Sequence, residues 1–176
     1  MATNFLEQLV AEWYQYQDYF VRTNIRVGRR AKGGHEGELD VVAFNPTLGK
    51  LVHIETSMDA DSWDQREKRF KRKFETGEKH IHALFKGLSL PEHPERVAVF
   101  GLGSRKNHKT IGGGKVVMLE DLLTEIVATF KGRTWFSDAV PEGFPILRSL
   151  QAATAYRKAL FGQAAGGGGT PGKPRK

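Results

Sequence analysis

Two stretches, Gly37-Glu38-Leu39-Asp40-Val41-Val42-Ala43-Phe44 and Leu51-Val52-His53-Ile54-Glu55-Thr56-Ser57, decide the reading of this chain. Each is an apolar, β-branched run of strand length. Between them, Asn45-Pro46-Thr47-Leu48-Gly49 carries the turn residues of a hairpin. Each run also holds an acid, and carboxylates seldom enter buried strands without a partner, because a charge taken out of water needs compensation. Side chains alternate along a strand, so Glu38, Asp40 and Val42 share one face, and His53, Glu55 and Ser57 share one on the next strand. With the hairpin paired as its turn implies, Asp40 and Glu55 converge on one point.

Outward from the hairpin, Phe5, Leu9, Trp13 and Tyr16 recur at helical spacing and predict a helix over 3–18. Residues 19–27 read as a strand, 29–37 as a loop, and the acid-bearing strands span 38–44 and 50–56. A long helix is predicted over 61–86, with an apolar stripe of Trp63, Phe70, Phe74, Gly77, Ile81 and Leu84/Phe85. A strand at 96–102, a loop at 103–114, a strand at 115–118, a helix at 119–130 and a last helix at 146–161 complete the order. This order predicts an α/β fold, a mixed central β-sheet flanked by helices on both faces. One domain is expected over 1–162, and the Gly-rich basic tail at 163–176 is expected to be disordered.

Composition narrows the function. The chain has 176 residues, 39% hydrophobic and 27% charged, which suits one domain with a proper core. It has no cysteine, which excludes disulfides, thiolate metal sites and cysteine nucleophiles. Neither a signal-peptide pattern nor an apolar run of roughly 20 residues is present, so a cytoplasmic location without a membrane partner is expected. Lys and Arg number 27 against 20 Asp and Glu, and the formal charge of +7 favours a polyanionic partner, most often nucleic acid. Two converging carboxylates, with a backbone carbonyl such as that of Thr56, offer the hard oxygen ligands Mg²⁺ prefers. An ion so held polarises a phosphate oxygen and lowers the pKa of an attacking water, which suits phosphodiester hydrolysis. His53 reads first as a satisfied buried histidine and second as a residue orienting water. Glu38 reads as a hydrogen-bonding neighbour. Gly112-Gly113-Gly114-Lys115 lacks the spacing and the Ser/Thr of a phosphate-binding loop.

The pattern resembles the PD-(D/E)xK superfamily, the restriction-endonuclease-like nucleases. These carry a helical Glu, then an Asp on one hairpin strand and (Asp/Glu)-x-Lys on the next. Gly37-Glu38-Leu39-Asp40-Val41-Val42-Ala43 matches the Asp strand, Val52-His53-Ile54-Glu55-Thr56-Ser57 matches the second up to its last position, and Glu7 matches the helical Glu. The resemblance covers roughly residues 5–86. It implies a restriction-endonuclease-like sheet and a divalent-metal-dependent nuclease that hydrolyses DNA through metal-activated water, with RNA left open. The implied cofactor is Mg²⁺ or Mn²⁺, held by Asp40, Glu55 and Thr56, with Glu7 in support. Nucleases of this type often dimerise, so a homodimer is compatible with it.

One position departs from the pattern: Ser57 stands where the family usually has Lys. Some members carry that lysine on the following helix. Lys73, next to Phe74 and roughly 80° off the apolar stripe, is the choice for this role, and Arg66 is second. Without such a lysine, the resemblance implies a catalytically inactive nucleic-acid-binding module. Arg66, Lys68, Arg69, Lys71 and Arg72, with Arg105 and Lys106 in a later loop, are the expected phosphate contacts.

Overall fold

The hairpin of the sequence lies at the centre of the sheet. In the computed structural model, which describes residues 4–103, 108–134 and 136–162, β1 (Phe20–Arg29) precedes β2 (His35–Asn45) and β3 (Lys50–Ser57). β2 and β3 pair antiparallel, with Val41 opposite Ile54 and Val42 opposite His53. The Asn45 side chain accepts the Leu48 N–H at 2.9 Å, and Gly49 takes a φ of +60° that suits glycine in the tight turn. β1 lines the outer side of β2, also antiparallel. On the other side, β3 pairs parallel with β4 (Glu95–Phe100), and β4 pairs parallel with β6 (Gly114–Met118). A two-residue β5 (Thr110–Ile111) closes that edge, and the sheet runs β1-β2-β3-β4-β6-β5. Both acid-bearing strands are therefore interior strands.

The parallel pairing of β3 with β4 requires a crossover, and α2 (Trp63–His80) supplies most of it. Strand alternation sorts the core into two layers. Val41, Ala43, Val52, Ile54 and Val99 face α1 (Phe5–Tyr16), α3 (Leu119–Phe130) and α4 (Pro145–Ala155), which contribute Leu6, Leu9, Trp13, Ile126 and Leu147. Val42, Phe44 and Leu51 face the other way, onto Ile81 and Phe85 of a 3₁₀ turn that continues from α2. Further along this face, Phe70 and Phe74 of α2 pack with Ala98, Phe100, Ile111 and Val116. The mixed sheet flanked on both faces, expected from the element order, is what forms. No described helix is long and apolar enough to cross a membrane.

Several boundaries differ from the sequence reading, each for a local reason. The loop expected at 29–37 shrinks to residues 30–34, because β1 and β2 stay paired out to Arg29 and His35. The helix expected over 61–86 begins at Trp63, where Ser62 and Gln65 form a reciprocal capping box, and tightens into the 3₁₀ turn after His80. β5 escaped notice because it has two residues; Gly112 and Gly113, at φ of +55° and +80°, turn it back onto β6. The last expected helix breaks at Tyr156 into α4, with Pro145 in its first turn, and a short α5 (Arg157–Phe161). β1 is interrupted by positive φ at Asn24 (+52°) and Gly28 (+66°). The expected tail at 163–176 and the proposed contacts Arg105 and Lys106 lie outside the described residues.

Candidate active site

Asp40 is on β2 and Glu55 on β3. The register that sets Val41 against Ile54 brings their side chains to the α2 face of the sheet together. Lys73, at the flank of the α2 apolar stripe, reaches down between them. Its Nζ donates to Asp40 Oδ1 at 2.7 Å and to Glu55 Oε2. The other Asp40 oxygen is held from behind, since Oδ2 accepts the Thr56 backbone N–H at 2.8 Å and the Thr56 hydroxyl at 3.3 Å. Glu55 Oε1 lies 2.7 Å from His53 Nε2. One oxygen of each carboxylate is thus fixed by its own sheet, and the other faces a common cation position.

The charges do not balance. Burial, reinforced by the neighbouring Glu55 and opposed by Lys73, pushes Asp40 up to about 6. Burial likewise holds Glu55 above its ordinary value despite Lys73. Burial also pulls the Lys73 ammonium down, but the two carboxylates together outweigh it and hold Lys73 above its ordinary value. Glu7 makes no described hydrogen bond to the pair; its carboxyl is bound by the Asn4 side chain at the start of α1. It still feels the site, raised by partial burial and then by the charge of Asp40. Two buried acids with a third nearby against one ammonium leave the site short of positive charge.

His53 is fully buried, and burial lowers it to about 3, so the ring is neutral. With Nε2 on Glu55, the remaining nitrogen Nδ1 has no hydrogen-bond partner among the described residues. The ring stands edge-on to Phe74, with centroids 5.2 Å apart, and against Gly77, where a Cβ would lie 2.3 Å from Nδ1 and Cε1. A glycine inside a helix costs about 1 kcal/mol relative to alanine, and an unsatisfied buried polar atom about 1–3 kcal/mol. An apolar side chain at position 53 would avoid both. The satisfied buried histidine expected from the sequence is therefore satisfied on one side only.

The basic residues of α2 divide into two groups. Lys68, Lys71 and Arg72 are exposed, as phosphate contacts must be. Arg66 is not: it is 2% exposed, its Nε bonds Asp59 at 3.3 Å, its Nη2 bonds the Asp59 carbonyl at 2.5 Å, and its guanidinium lies over Trp63 and Phe100. This corrects Arg66 both as a phosphate contact and as the alternative to Lys73. Arg69 is half-buried and paired with Asp59 and with Asp61, the latter at 2.5 Å, and its Nη2 donates to Ser57 Oγ at 3.2 Å. A cation therefore does stand beside Ser57, delivered by α2. Asp59, which gathers Ser57, Arg66 and Arg69, was not singled out from the sequence, where nothing marked it. Glu38 pairs with Arg26 of β1 at 3.3 Å.

Among the described residues no group of three or more His, Asp or Glu side chains is arranged to hold a metal ion. The donor set nonetheless fits Mg²⁺, which is commonly bound by one or two carboxylates with waters and substrate phosphate completing its shell. Asp40 Oδ1 and Glu55 Oε2 already converge on one cation, and both carboxyls remain raised with the ammonium in place. A divalent ion on these two oxygens requires the Lys73 ammonium to move off them, which its flexible and partly exposed stem permits. Compared with known proteins, the chain matches no family model and no curated sequence.

Proposed function

We propose that this protein is a divalent-metal-dependent nuclease of the restriction-endonuclease-like kind, hydrolysing phosphodiester bonds of DNA. One observation carries the reading: two buried carboxylates on paired interior strands turn one oxygen each toward a cation that the following helix supplies. Asp40 and Glu55 would hold Mg²⁺ or Mn²⁺, beside Thr56. When bound, such an ion supplies Lewis-acid polarisation of a phosphate oxygen and a lowered pKa for water. The Thr56 N–H and hydroxyl keep Asp40 aimed, so little reorganisation is needed when substrate arrives. Lys73 takes the place of the lysine absent at Ser57. Asp40 and Glu55 hold its ammonium above its ordinary value where it now sits; moved off them by the metal, it would offer a positive charge to the reacting phosphate. Lys68, Lys71 and Arg72, on the exposed side of α2, would track neighbouring phosphates.

A second reading, a catalytically inactive nucleic-acid-binding module, is favoured by one feature: Lys73 already satisfies both carboxylates where a metal would sit. Supercoiled plasmid incubated with the protein in Mg²⁺, Mn²⁺ or EDTA separates the two. The nuclease nicks or degrades the plasmid only with metal, and Glu55→Gln or Asp40→Asn lowers the rate at least about 100-fold while a gel shift in EDTA survives. A salt-sensitive gel shift with no metal-dependent cleavage at any protein concentration would leave the binding module standing.

A further inference from the structure

Neither sheet pairing nor core packing accounts for an imidazole at position 53. The ring is completely enclosed, its Nε2 lies 2.7 Å from Glu55 Oε1, and its Nδ1 meets no partner among the described residues. An ionised carboxylate only accepts hydrogen bonds, so the nitrogen facing it is the one that carries the proton. Nδ1 is then a bare lone pair, the less costly group to leave alone. The other tautomer would set a bare Nε2 lone pair against the carboxylate and strand an Nδ1–H. Phe74 and the backbone of Gly77 close on two sides of the ring, and the missing side chain at 77 is what admits it.

We propose that His53 is a positioning residue: its Nε2–H commits Glu55 Oε1, so that the carboxylate presents Oε2 alone, in one direction, to the cation position. The identity of the cation rests on the nuclease reading; the clamp on Glu55 does not. Metal-binding sites gain affinity from such outer partners, whose loss typically lowers it about 10–100-fold.

Two measurements test this. Long-range ¹H–¹⁵N correlation spectra of the wild-type protein should show His53 as the neutral Nε2–H tautomer; an Nδ1–H tautomer or an imidazolium overturns the proposal. Mn²⁺ binding, followed by electron paramagnetic resonance without any cleavage assay, should weaken about 10–100-fold in His53→Phe. It should recover largely in His53→Gln, whose amide keeps a donor at similar reach, and the effect of His53→Phe should vanish in a Glu55→Gln background. Equal affinity in wild type and His53→Phe, or equal loss in the Phe and Gln variants with unfolding temperatures unchanged, overturns it. Should His53→Phe fail to fold, the Gln variant and the tautomer decide. Wild-type protein that binds no Mn²⁺ removes the nuclease reading, and the tautomer then still judges the clamp.

Discussion

At Asp40, ionisation and folding oppose one another. The side chain rests near about 6 against an ordinary 3.8, because burial disfavours its charge and Glu55 adds to this, with Lys73 and Thr56 opposing. Between these two values the folded chain binds more protons than the unfolded one, so the sign is fixed: stability falls as pH rises through that interval and stays lower above it. The span corresponds to about 3 kcal/mol. Urea denaturation of the metal-free protein should therefore show unfolding free energy declining between about pH 4 and pH 6, and Asp40→Asn should flatten the decline. A wild-type profile that is level or rising there would contradict the burial of a charge-deficient pair. The pairing of the acids was legible from the sequence, since alternation with the hairpin paired puts Asp40 and Glu55 on one face, and Lys73 was singled out by the resemblance together with its place at the flank of the apolar stripe. The clasp around Asp59 was not legible, because an acid in an irregular segment announces no direction, and Arg66 looks like any basic helical residue until that acid is placed.

The second helix gathers these residues, and its sequence serves three surfaces at once. Phe70 and Phe74 go into the core, Lys73 flanks them toward the acids, and Lys68, Lys71 and Arg72 face outward. The apolar stripe was readable by period, including Gly77, but the stripe could not say why a glycine belongs there. A Cβ at 77 would meet the His53 ring at 2.3 Å. Gly77→Ala therefore sets a helix-propensity gain of about 1 kcal/mol against overpacking of about 1–3 kcal/mol beneath a ring with no room to retreat. A net loss of stability is expected by chemical denaturation, accompanied by weaker Mn²⁺ binding as Glu55 is disturbed. An increase in stability would mean that the imidazole can shift, and the clamp on Glu55 would be looser than its geometry suggests.

Across the whole molecule, a single buried carboxylate joins regions far apart in sequence. Glu12, 4% exposed on α1, accepts the Ile146 and Leu147 N–H groups at 2.9 and 3.1 Å, capping α4, while Gln8 donates to its other oxygen at 3.0 Å. The pairing of Glu12 with α4 was invisible in the sequence, because a helical Glu near the N-terminus and a Pro-initiated helix near the other end carry no mark of each other. Glu12→Ala should cost about 2–4 kcal/mol, since two donors lose a charged acceptor, and should lower the unfolding temperature while leaving Mn²⁺ affinity unchanged below it. An accompanying loss of metal affinity would show that α1 and α4 shape the site directly. The interrupted outer strand matters in a different setting, the crowded solution. Along β1, Asn24 and Gly28 break the extended backbone with positive φ, and Arg22, Arg26 and Arg29 add positive charge to it. The opposite margin offers only the two residues of β5. An incoming strand from another copy finds a kinked, like-charged border at one side and almost none at the other, so the sheet is guarded against edge-to-edge aggregation.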